Sequence, residues 1–130
     1  MAVTASWFGQ QLLGQYSGTT NMVVDWDADD IRTALATSAS SLTAATALDA
    51  YDFWNDVTGE VSGTGYTAWG YVHATQTATL DSATDEVRLD LDDASWTTAS
   101  FTARYAVILR YTGTASTSAV IGRVDFGGDE

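Results

Sequence analysis

The chain has no cysteine, no proline and no lysine in 130 residues, and only one histidine. Without cysteine, disulfides and thiolate metal sites are excluded. Without lysine, every cation is an arginine: Arg32, Arg88, Arg104, Arg110 and Arg123. Set against 17 acids, they leave a net charge of −12. A field this negative repels nucleic acid and anionic lipid, so neither is expected as a direct partner. Long apolar runs are also missing. The stretch from Met1 to Val24 is uncharged but interrupted by Gln, Ser, Thr, Gly and Asn, and the first cation is Arg32. It therefore reads as neither a signal peptide nor a membrane span. Glutamate is scarce, and most acids are Asp. An Asp-rich, lysine-free surface suits a very salty cytoplasm, where salt screens self-repulsion. A GC-rich genome that writes Arg, Ala, Thr and Asp in place of Lys produces the same bias, and both readings stay open.

The remaining composition is that of a folded domain. Hydrophobic residues make up 45% of the chain, too many for a disordered segment, and the length suits one domain over residues 1–130. Thr, Val, Trp and Tyr recur in short runs, which favours a pleated, half-buried surface. Strands are predicted at Asn21 to Trp26, Ile31 to Thr37, Tyr66 to Val72, Thr75 to Leu80, Glu86 to Leu91, Trp96 to Ala103, Tyr105 to Tyr111 and Val120 to Phe126. Asp81 to Asp85 reads as a hairpin loop, and Val87, Leu89 and Leu91 share one face of the strand that follows it. Tyr105 to Tyr111 is the most apolar run and is expected to be central. Helix is expected mainly within Thr43 to Asn55, around Leu48 to Trp54. Ser6 to Gln15 is a weaker candidate because of Gly9 and Gly14. The expected fold is all-β, a single antiparallel β-sandwich of jelly-roll type with one short helix.

Few residues advertise chemistry. Asp25, Asp27 and Asp29 have the spacing that opens a calcium loop, and they are the weak metal candidates. The pattern then fails, with Asp30 where the loop needs Gly and Ala36 where it needs a bidentate Glu, so a solvated turn is the plainer reading. Asp92 to Ser95 reads as a turn whose short acceptors take local N–H groups. His73 stands at a strand end with no partner marked by spacing, and no Gly-x-Ser-x-Gly elbow occurs. Ser62 to Gly65 lacks the Lys of a phosphate loop. No catalytic residue and no cofactor are expected. The five tryptophans and several tyrosines are read as core or interface, with a sugar platform as the alternative.

Three blocks carry a resemblance. They are Phe53 to Ala68, Trp96 with Phe101 to Ile108, and Ile121 to Gly127, supported by Val24-Asp25-Trp26 and Ile31 to Leu35. In this order they resemble a family of small virion proteins of tailed phages and haloarchaeal tailed viruses, encoded among head and tail genes. The resemblance implies a non-enzymatic structural role in a particle assembled in the host cytoplasm. The partners it implies are the major capsid protein or other virion proteins, and a homo-oligomer, a trimer or pentamer matching the local axes of an icosahedral shell, is expected. A capsid decoration or spike subunit is the first expectation, a tail or baseplate component the second, and a host-glycan-binding module the third. No interface residues are assigned. Two departures stand out. Relatives continue beyond the last block into a further strand, which suggests an open edge at Val120 to Phe126. Where relatives pair two glycines after Tyr-Thr-Ala, this chain has Trp69-Gly70.

Overall fold

A computed structural model describes residues 2–43 and 48–130. In chain order the elements are β1 (Thr4–Trp7), α1 (Gly9–Ser17), β2 (Ile31–Ala36), β3 (Tyr71–Val72), β4 (Gln76–Asp81), β5 (Glu86–Leu91), β6 (Tyr105–Arg110) and β7 (Val120–Asp125). Single 3-10 turns fall at Leu48–Ala50, Trp54–Asp56 and Ala115–Thr117. Five strands form one antiparallel sheet in the order β1-β7-β6-β2-β3, and β4 with β5 forms a separate two-stranded antiparallel sheet. The protein is thus mostly β, with two antiparallel sheets and one short helix, in keeping with a β-sandwich.

The apolar run Tyr105 to Arg110 is the spine of the large sheet, paired to β2 on one side and β7 on the other. Alternation then sorts its side chains. Tyr105, Val107 and Leu109 meet Ala34, Ala36 and Val120 on one face. Phe8, Leu42, Tyr51, Trp54 and Val57 cover that face. On the other face, Leu35 and Ala106 lie beneath Val61, Ala103, Tyr66, Trp96 and Phe101. Further along that face, Ile31 and Ile121 pack with Trp26, Leu91 and Ile108. Each Leu, Ile or Val closed off in this way contributes about 1.5–3 kcal/mol. The ladder between β6 and β7 shifts register between Ile108 and Leu109. That bulge turns Ile121 onto the second face and sets Gly122 opposite Ile108.

Several expected elements differ. The helix lies at Gly9–Ser17, overlapping the weaker candidate Ser6 to Gln15, whereas 48–54 holds only isolated 3-10 turns, with 44–47 outside the described residues. Gly14 is needed inside the helix because a side chain there would overlap Met22. Gly18 ends it in the left-handed conformation, φ 69°, its N–H donating to the Gly14 carbonyl. The expected strand at 21–26 is a pair of turns, with Asn21 at φ 64°. It pairs with side chains instead of a strand: Val24 N–H donates to Gln15 Oε1, and the Gln15 amide to the Val24 carbonyl. The run 66–72 shrinks to Tyr71–Val72, because Trp69 and Gly70 both take positive φ, 72° and 75°. The stretch 96–103 makes one isolated bridge, Thr64 with Ser100.

The expected open edge at 120–126 is also corrected. β1 flanks β7 on its outer side, with Thr4 opposite Asp125 and Trp7 opposite Gly122. Beyond β7, Glu130 and Ala103 exchange backbone hydrogen bonds of 2.8 and 3.0 Å. The edges of the large sheet are therefore β1 and the two-residue β3.

Candidate functional site

The β4–β5 hairpin carries its apolar residues on one side. Ala78 faces Leu89 and Leu80 faces Val87 across the ladder, with Leu91 in line. The other side carries Thr77, Thr79, Arg88 and Asp90, and Arg88 pairs with Asp81 at 2.7 Å. Only the base of the apolar stripe is half-buried, at Leu91 against the Trp26, Ile31 and Ile121 cluster. Leu80 and Val87 remain 67% and 71% exposed. A two-stranded hairpin is marginal by itself, so its attachments decide its position. Trp26 Nε1 donates to the Asp90 carbonyl at 3.1 Å, and the Gln76 amide to the Asp29 carbonyl at 2.8 Å. Ala78 N–H donates to Asp27 Oδ1 at 2.6 Å.

Facing this stripe are helix α1 and the part of the large sheet that carries Ile108 and Ile121. Between them runs an open groove of about 1010 Å³. Its floor is Ile108, Ile121 and Trp26; its walls include Trp7, Leu12, Val87 and Leu89. A smaller hollow of about 200 Å³ continues it over Gly122, where the missing side chain leaves room. Gln11 and Gln15 also line the groove, but their amides hold the 22–24 segment by its carbonyls. The charged groups on the rim are Asp25 and Asp27, both exposed.

The three metal candidates serve this architecture. Asp29 Oδ2 accepts the Asp25 N–H at 2.9 Å, and the Asp25 carbonyl accepts the Asp29 N–H at 2.8 Å. These bonds close the turn that places Trp26. Asp27 anchors the hairpin, and Asp29 Oδ2 lies 3.9 Å from Arg110 Nη1. Among the described residues, no three His, Asp or Glu side chains converge as a ligand set.

A second constellation gathers at the hairpin base. His73 Nε2 lies 2.8 Å from Thr33 Oγ1, and its Nδ1 is 3.4 Å from Asp92 Oδ1. Tyr71 donates its hydroxyl to Asp92 Oδ2 at 3.1 Å, and Thr75 its N–H to Oδ1 at 3.0 Å. Thr75 N–H donation, with help from Tyr71 and His73, outweighs desolvation and holds the Asp92 carboxyl below its ordinary range. Hydroxyl, imidazole and carboxylate stand here in the order of a nucleophilic triad. Thr33, however, sits between β6 and β3 with its backbone engaged by ladders on both sides. His73 is buried, and its backbone N–H donates to the Ile31 carbonyl. In this geometry the group acts as a clasp that fastens the hairpin base to the sheet edge. Asp92, read as a local turn acceptor, takes its N–H from Thr75 across the hairpin base.

The remaining aromatics are largely internal. Tyr66 rests near Trp96 and Phe101, with ring centroids at 6.3 and 5.6 Å. Its hydroxyl accepts the Leu35 N–H and donates to Glu60 Oε1, both at 3.0 Å. Burial is the main cause that raises this phenol well above its usual range. Trp69 packs edge-on against Tyr111 at 4.9 Å. The exposed aromatics are Trp7 and Tyr16, both on the groove.

Spacing gave no hint of the partners of His73, since Thr33 is 40 residues away in sequence. The groove left a partial trace, the shared face of Val87, Leu89 and Leu91. No family model, no curated protein and no solved structure matches this chain.

Proposed function

We propose that the chain is a non-enzymatic structural subunit of a tailed virus particle, attached to the capsid as a decoration or spike protein. The observation that carries the reading is the apolar groove between α1 and the β4–β5 hairpin, the kind of surface that docks against another protein. The ordered resemblance over Phe53 to Ala68, Trp96 with Phe101 to Ile108, and Ile121 to Gly127 supplies the particle. In this reading the fold is a reduced jelly-roll-like sandwich, and the subunit is made and assembled in the host cytoplasm.

The proposal includes a closed ring of copies, a trimer or pentamer. Its support is the β1 edge, which has a strand on one side only and carries neither Lys nor Pro to block pairing. A heterologous contact from that edge to the next copy closes a ring. Light scattering on the purified chain tests the ring, and mass spectrometry of purified particles tests the location. A well-folded monomer absent from particles would defeat both parts. The tail or baseplate placement differs only in which particle fraction contains the chain. The glycan-binding alternative has one observation in its favour, the exposed Trp7 and Tyr16, and a glycan array separates it from a passive subunit.

A further inference from the structure

We propose that the groove between α1, the 23–27 segment and the β4–β5 hairpin receives a cationic, amphipathic segment of a partner protein. The segment's apolar side chains would lie on Leu12, Val87 and Leu89, and its Lys or Arg side chains against Asp25 and Asp27. The proposal names the chemistry of the partner for the docking role above, and it rests on that reading only in supposing that the partner is a protein.

Charge decides the occupant. The groove floor is apolar, and the charged side chains on its rim are two carboxylates. Asp27 spends one oxygen on the Ala78 N–H, while Asp25 uses its backbone groups in the turn and, among the described residues, its carboxylate forms no ion pair. The nearby arginines are committed elsewhere. Arg88 projects from the opposite side of the hairpin toward Asp81. Arg110 donates to the carbonyls of Val23 and Asn21. Arg123 borders the smaller hollow but donates to the Leu42 carbonyl under the other sheet face. An apolar trough with an acidic rim on a body of charge −12 attracts a basic apolar segment and repels an acidic one. A second copy brings the same negative charge and the same acidic rim, so self-docking here sets like charges together.

The groove also has the shape for a segment. It is open along its length, and its two walls are regular elements, a helix and a hairpin. The hairpin wall is held to the body at Asp90, Gln76 and Ala78 by bonds to Trp26, Asp29 and Asp27. An amphipathic helix laid in an apolar trough is a common recognition mode.

The test is calorimetric titration of the chain with a synthetic amphipathic Leu/Lys peptide and with its Leu/Glu counterpart. The Leu/Lys peptide is expected to bind, at least roughly tenfold more tightly than the Leu/Glu peptide at low salt, with weakening in molar KCl. Val87→Ser with Leu89→Ser, both at solvent-facing positions, should weaken it by about tenfold or more. Asp25→Asn should weaken the Leu/Lys peptide selectively, and it leaves the apolar wall intact if the double variant fails to fold. Equal binding of the two peptides, no binding, or binding indifferent to these variants overturns the proposal. So does self-association that the Val87→Ser, Leu89→Ser variant abolishes, since that assigns the groove to a second copy. Peptide binding by a chain absent from particles would refute the virion reading and leave the groove assignment standing; the converse result would do the opposite.

Discussion

Replacing Trp26 by Phe tests how the hairpin is held. The indole is buried between Ile31 and Ile121, and its Nε1–H donates to the Asp90 carbonyl at 3.1 Å. Phenylalanine keeps an apolar ring in place but leaves that carbonyl without its donor. A hydrogen bond of this type has a net worth of about 0.5–1.5 kcal/mol. The lost ring volume adds less than a buried truncation usually does, because Trp26 lines the groove and water or hairpin movement can fill the gap. The sum is about 1–2 kcal/mol, a factor of roughly 5–30 in an opening equilibrium. The effect should be local, since Gln76 and Asp27 still tie the hairpin while β6 lies inside the five-stranded sheet. Amide hydrogen exchange is the assay. Amides of β4 and β5 should exchange faster by that factor, while those of Val107 and Leu109 keep their native rates. Equal acceleration in β6 and the hairpin would refute the reasoning, because it would make the hairpin part of one global unit.

Three further outcomes follow from particular residues. Gly70→Ala should lower stability by at least about 2 kcal/mol in denaturant melts, because the residue has φ 75° and a Cβ would overlap the Thr33 carbonyl; a melt like that of the native chain would contradict the assignment. Asp92 has a folded-state pKa below its ordinary value, so its contribution is present above the normal carboxylate range and lost as pH falls through the folded value. Hairpin amides should therefore lose protection below about pH 4, and Asp92→Asn should remove that dependence; an unchanged acid response in the variant would place the titration elsewhere. Finally, a net charge of −12 predicts a Tm that rises from low salt to molar KCl, and a Tm that stays flat or falls would count against the halophilic reading.

The strand spine was legible because its signals are local. Tyr105 to Tyr111 is continuous and apolar, and it is the central strand. The hairpin was legible from alternation flanking an Asp-rich turn, with Val87, Leu89 and Leu91 on one face as expected. The failures have a common origin in residues that leave the extended region. Asn21, Trp69 and Thr98 have φ of 64°, 72° and 55°, and each breaks a run whose composition suits a strand. None of the three is Gly, and only Asn21 is of a type that readily takes this conformation. The helix was misplaced for a tertiary reason. Gly14 lowers helix propensity, yet it is the residue that admits Met22 against the helix, while the better-patterned stretch around Leu48 to Trp54 closes into 3-10 turns beside Asp56, whose carboxylate accepts the N–H groups of Asp52 and Phe53. The groove and the His73 clasp were hidden because each is assembled from segments far apart in the chain. Asp27 meets Ala78 across 51 residues and Trp26 meets Asp90 across 64.

The docking role is tested most directly by an electron-microscopic reconstruction of a virus particle that carries the chain. The account predicts density for this fold on the outside of the shell, with the groove between α1 and the β4–β5 hairpin filled by an apolar, Lys- or Arg-bearing segment of a neighbouring protein. Particles that lack the chain, or hold it with that groove empty and facing bulk solvent, would contradict the account.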